Sequence, residues 1–212
     1  MFERGDRGQA HTLEGVVAAI ILLSSLVYAL QVTAVTPRSA TTANQHIENQ
    51  EQATASGVLV AAENTRLSGD GNGLQSAVLY WNESNGTFHG LLGGSYTNDG
   101  DFPRSGGTVE PTLANSLVQT FSERGIAFNV NIYYRTGDGE GRQRLVYRGE
   151  PSDNAVTASR VVTVYDTDPL YAANETRSAT DVGNSTSFYA PDISSGSDIF
   201  NVFRVEVIVW RM

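Results

Sequence analysis

Residues 1–37 read MFERGDRGQAHTLEGVVAAIILLSSLVYALQVTAVTP, and this stretch decides the architecture. Gly15 to Pro37 carries no charge, and Val16 to Leu30 is apolar apart from Ser24, Ser25 and Tyr28. At 1.5 Å per residue those fifteen positions are short for a bilayer. Extended through Thr36, the uncharged helix has about 22 residues and spans roughly 30 Å, the thickness of a hydrocarbon core. Three readings compete: a secretory signal cut after the apolar run, an uncleaved anchor, and a signal cut before the run, which leaves the helix on the mature chain. Arg4 and Arg7 precede the helix and only Arg38 lies close behind it. By the positive-inside rule the long C-terminal part is expected outside the cell.

The order of the N-terminal segments favours the third reading. A short charged leader ends in Arg7-Gly8, then Gln9-Ala10-His11-Thr12-Leu13-Glu14-Gly15 leads into the apolar run. This resembles the Arg-Gly-Gln processing site of archaeal type IV pilins and archaellins, with one glutamate just inside the mature N-terminus. The resemblance covers about the first 36 residues. It implies a class III signal cut by a prepilin peptidase at Arg7, Gly8 and Gln9. It also implies a helix that assembles with other pilin-like subunits, and a Glu14 that pairs with a neighbour's free N-terminal amine. Cleavage after Gly8 makes Glu14 the sixth mature residue, and cleavage after Gln9 the fifth. Alternatively, Glu14 sits in the headgroup region and reaches water. Gly15, Ala18 and Ala19 are small enough to let helices approach closely.

Composition narrows the rest. The chain has 212 residues, no cysteine and three histidines. Disulfides, thiolate metal sites and cysteine nucleophiles are thereby excluded. All 14 basic residues are arginine and the net charge is −9. Such a chain repels phosphate backbones, so no nucleic-acid partner is expected. Acid excess with arginine preferred over lysine resembles proteins of salt-loving archaea. From Arg38 onward there are 20 acids and 12 arginines.

Expected domains are a leader at 1–8, a transmembrane helix at 9–36, a polar helical stalk at 37–73 and an extracytoplasmic head at 74–212. Pro37 is placed to end or kink the membrane helix. Ser39–Leu67 reads as polar helix with a thin stripe of Ile47, Val58, Leu59, Ala61, Ala62 and Leu67. Leu74–Trp81 is a short apolar element, helix or strand, and Asn82–Pro111 is loop-like. Pro111–Arg124 reads as a helix with Gly125 just past its end. Strands are expected at Ile126–Tyr134, Arg142–Arg148, Ser159–Tyr165 and Asn201–Trp210, with a hairpin loop at Thr136–Gly141. The fold class is α+β: a long N-terminal helix, then a small antiparallel sheet with one packed helix, the pilin arrangement.

The chemistry-bearing motifs are weak. Asp70-Gly71-Asn72-Gly73 fails as a calcium loop because position twelve is Trp81. Asp138 with Glu140, and Asp166 with Asp168, are close acid pairs at strand ends, read as turns. An extracytoplasmic enzyme built on one of these pairs is the least favoured reading. His11, His46 and His89 have no ligand partner at useful spacing, so no metal or cofactor is expected. No hydrolase, zincin or nucleotide-binding motif occurs, and the protein is expected not to be an enzyme. Four sequons make Asn82, Asn85, Asn174 and Asn184 glycosylation candidates if the chain is exported. The expected role is a structural or minor subunit of a type IV pilus-like surface filament, in contact with membrane lipid. The alternative is an uncleaved, single-pass anchored exterior domain with a partner of unknown kind.

Overall fold

A computed structural model describes residues 5–34, 38–67, 71–90 and 112–211, with side chains omitted at 5–10, 30–34 and 38–44. The chain divides into two compact units, Met1–His46 and Ile47–Met212. The first contains helix α1 (Gly5–Ala34) and the start of α2 (Arg38–Asn64). Pro37, the turn residues 68–70 and most of the Asn82–Pro111 loop (91–111) lie outside the described residues.

The second unit, the head, begins inside the segment expected as a stalk. There α2 turns Ala55, Val58, Leu59 and Ala62 into the core. Its flanks reach the sheet through polar side chains: Gln52 Nε2 donates to the Thr157 carbonyl at 3.3 Å, and Glu51 pairs with Arg211. Leu74–Trp81 resolves as helix α3 (Gly73–Leu79) running into strand β1 (Trp81–Asn82). Asn72 caps α3, its Oδ1 accepting from Leu74 N at 3.0 Å and Gln75 N at 2.8 Å, which satisfies two otherwise orphaned donors. Gly73 is required by close approach. A Cβ there would lie 3.1 Å from both the Ala62 carbonyl and Thr112 Cγ2. Strand β1 pairs with β2 (Thr87–Phe88) in a tight hairpin.

Helix α4 (Thr112–Phe121) buries Leu113, Ala114, Leu117 and Phe121, one face at helical spacing. A 3-10 turn, Ser122–Arg124, ends at Gly125, whose φ of 69° is the left-handed cap expected there. Three helical segments pack in the head where the sequence suggested one.

The main sheet is antiparallel, in the order β4-β3-β8-β5. Its strands are β3 (Ile126–Thr136), β4 (Gly139–Val146), β5 (Val156–Tyr165) and β8 (Ile199–Arg211). These extend the four expected strands by one to three residues at most ends. Alternation divides the sheet's faces. Phe128, Val130, Ile132, Phe203, Val205, Val207 and Val209 are fully buried on the inner face. Tyr133, Arg142, Arg204 and Glu206 share the outer face, through the cross-strand pairs Tyr133↔Arg142 and Tyr133↔Arg204. Each fully buried large apolar side chain contributes about 1.5–3 kcal/mol of transfer free energy. A second hairpin, β6 (Pro169–Tyr171) with β7 (Arg177–Asp181), was not expected from sequence. It packs on α3.

Candidate functional site

From Val16 to Ala29, helix α1 is apolar apart from Ser24, Ser25 and Tyr28. Among its described side chains, His11 to Ala29, every one is exposed. Leu13, Leu22 and Tyr28 show about 70% of their surface. Those 19 residues form a helix of about 28 Å, long and apolar enough to cross a membrane. Among the described residues of the first unit nothing buries these side chains, and a helix that is hydrophobic all round is found in a protein core or a membrane span.

Glu14 is the one acid in this span. Its carboxylate lies 3.7 Å from His11 Nδ1, one turn earlier, and both side chains are about four-fifths exposed. Gly15 follows, and a Cβ there would meet nothing within 4 Å. Arg7, Gly8 and Gln9 fall in the first turns of α1, whose helical backbone starts at Gly5.

The head separates the remaining candidates. Asp138 is in the β3–β4 turn, and Glu140 is held by Arg204, whose Nη2 donates to both carboxylate oxygens at 3.0 and 2.9 Å. Asp168 Oδ2 accepts from Tyr165 N at 2.8 Å and so closes a turn. Asp166 lacks a hydrogen-bond partner on Oδ1 among the described residues. Desolvation, then the charges of Asp192 and Asp198, push its carboxyl above the usual range. Among the described residues no three His, Asp or Glu side chains are placed to share a metal ion. His46 is exposed on α2. His89 is instead half-buried, edge-on to Tyr80 with 5.0 Å between ring centres, and desolvation lowers its pKa.

The sequons are unequal. Asn85, Asn174 and Asn184 are exposed, whereas Asn82 is half-buried on β1, its Oδ1 accepting from Ser84 N. At Asn174 the side-chain oxygen accepts from Thr176 Oγ1 at 2.6 Å, so the sequon is folded on itself in a turn.

The apolar helix and the head form one sequence unit. A family model runs through both, matching residues 7–209. The chain belongs to the DUF7288 family, a family of unknown function. No curated protein and no solved structure matches it. The DUF7288 match begins at Arg7 and takes in the whole candidate membrane span.

One feature of this DUF7288 head escapes sequence reasoning. Glu175, inside the Asn174 sequon, is buried with a left-handed φ of 55°. Its Oε1 accepts from Ser76 Oγ and Thr112 N, and its Oε2 from Thr112 Oγ1, each at 2.8 Å. The carboxylate thus ties the β6–β7 turn to α3 and to the N-terminus of α4, where a negative charge is favoured. Tyr80 Oη donates to the Ala173 carbonyl at 2.6 Å beside it. Only the acid of an N-x-T triplet is visible in the sequence, with nothing to mark it as buried.

Proposed function

We propose that this chain is a structural or minor subunit of a type IV pilus-like surface filament. Prepilin peptidase removes the leader at Arg7-Gly8-Gln9, and α1 holds the mature chain in the membrane until it joins other subunits. The single observation that carries this reading is the run of exposed side chains on α1 from His11 to Ala29, with one carboxylate, Glu14, just after the Arg7-Gly8-Gln9 site. In a filament core the helix finds the apolar neighbours it lacks within its own unit, and Glu14 finds a neighbour's N-terminal amine instead of lipid. The head, carrying most of the net negative charge, faces the outside.

The test is Glu14→Leu compared with Glu14→Gln, followed in sheared filaments. Glu14→Leu should leave the protein in the membrane but abolish its incorporation, with Glu14→Gln intermediate. Equal incorporation of both variants with the parent would sink the assembly role of Glu14.

A second reading, an uncleaved anchor carrying an exterior binding domain, is favoured by one observation. The backbone at Arg7-Gly8-Gln9 is helical, and peptidases cut extended chain. An intact Met1 on the membrane-bound protein distinguishes it.

A further inference from the structure

Outside α1, five large apolar or aromatic side chains are exposed among the described residues. Tyr165, Ile193 and Ile199 lie at one corner of the main sheet, and Val161 lies four residues back along the same strand. Val161 (59%) and Tyr165 (47%) lie on β5, while Ile193 and Ile199 lie on the segment leading into β8. The backbone fixes this corner. Tyr165 pairs with Ile199, Asp166 N donates to the Asp198 carbonyl, and Ile193 N donates to the Phe200 carbonyl, each bond 3.0 Å long. Asn201, fully buried, donates to the carbonyls of Arg135 and Pro191 and accepts from Arg135 N and Val202 N. The patch is therefore rigid.

The outward row of β5 is itself uncharged, with Arg204 and Glu206 of β8 paired beside Val161 and Ser159, and its end is acidic. The outward row of β5 is Thr157, Ser159, Val161, Thr163 and Tyr165, all exposed. Asp192 and Asp198 stand near Asp166 at its end, close enough for their charges to raise the proton affinity of Asp166. Beside β5 a groove of about 370 Å³ runs between Val161, Thr163 and Tyr165 on one side and Glu63 and Gln75 on the other. Strand β5 is also one of the two free edges of the sheet among the described strands. An exposed apolar patch with a polar rim marks a contact surface.

The opposite edge of the same sheet carries the complementary chemistry. On β4 the exposed Arg144 guanidinium lies 4.5 Å over the Tyr147 ring. Among the described residues it has no carboxylate within ion-pair distance. The Tyr147 hydroxyl donates to Glu150 at 2.6 Å, which fixes the ring beneath the guanidinium. Tyr and Arg are the residues most enriched at contact centres.

We propose that a second copy of this chain seats its Arg144–Tyr147 pair on the Val161–Tyr165–Ile199 patch, with the guanidinium among Asp166, Asp192 and Asp198. The ring covers apolar surface, and Arg144 meets carboxylates that form no ion pair among the described residues of their own head. Patch and pair lie at opposite corners of one sheet, so the contact can pass from copy to copy. It belongs to the head alone and stands whether or not α1 enters a filament.

The absence of cysteine makes the test direct. Full-length Asp198→Cys and Arg144→Cys proteins in detergent micelles are exposed to oxidant, each alone and as a mixture. The mixture should give a disulfide-linked pair and neither protein alone should. Sedimentation of the full chain should show association weakened at least tenfold by Val161→Arg and by Arg144→Glu. Both positions are exposed, and a thermal melt confirms that each variant is folded. Cross-linking of Asp198→Cys with itself, association unchanged by both charge variants, or a monomer at every concentration would each overturn the proposal.

Discussion

Glu175→Ala should destabilise the head by about 3–5 kcal/mol. The carboxylate accepts three hydrogen bonds from Ser76 and Thr112, each 2.8 Å long. A hydrogen bond to a charged group is worth about 1.5–3 kcal/mol, and a buried donor left unpaired costs a further penalty. Ser76 is fully buried, so water cannot replace its partner, whereas half-buried Thr112 can recover part of its loss. The three bonds share one acceptor group and do not add, which sets the lower total. The left-handed backbone at 175 is equally unfavourable for Glu and Ala, so it cancels. Glu175→Gln keeps one oxygen for Ser76 and the Thr112 amide and should cost only about 1–2 kcal/mol. In thermal unfolding of the full chain, about 2–4 °C per kcal/mol for a domain of this size, the Ala variant should melt roughly 6–20 °C lower. A loss below about 1 kcal/mol for Ala, or equal losses for Ala and Gln, would refute the idea that the charge joins α3, α4 and the β6–β7 turn.

Other perturbations probe separate parts of the head. Burial lowers the His89 pKa, so the unfolded chain binds its proton first. Stability should then fall as pH drops below about 6.5, the value for unfolded histidine, and Ser or Phe at 89 should flatten that fall in urea titrations. Asp166 is shifted the other way, by desolvation and by Asp192 and Asp198. Its ionised form costs stability at neutral pH, so Asp166→Asn should raise the melting temperature at pH 7 and leave it unchanged near pH 3, below the usual carboxylate pKa. Gly141 faces Tyr134 across β3 and β4, and a Cβ there would run into the Tyr134 ring. Gly141→Ala should cost about 1–3 kcal/mol by denaturant unfolding; a neutral result would mean that the ring moves aside freely.

The sheet was legible because its strands alternate cleanly. Phe128, Val130 and Ile132 against Asn129 and Asn131, and Phe203 to Val209 against Arg204 and Glu206, mark the apolar face, although Asn129 and Asn131 are buried as well, bonded to Gly149, Arg148 and Glu206. Helix α4 was legible from its leucine spacing and from Gly125, the one residue type at ease with the left-handed cap. Packing of α2 into the head was not. Its buried stripe is two alanines, a valine and a leucine among Gln, Thr and Asn, too little apolar contrast to show which neighbour it meets. The β6–β7 hairpin was missed because Arg177–Asp181 has neither alternation nor β-branched density. Of the candidate site, Glu14 and the apolar helix could be read directly, since an acid beside an uncharged run stands out. Glu175 and the β5 patch could not, because Glu175 depends on partners 63 and 99 positions away and the patch on Tyr165 meeting Ile199 across the sheet.

The N-terminal residue of the full chain, recovered from the membrane fraction of cells with an active prepilin peptidase and read by mass spectrometry, tests the filament-subunit reading most directly. A mature chain beginning at Gln9, or one residue later at Ala10, is the predicted result. A chain still beginning at Met1 would contradict it and leave an anchored exterior domain.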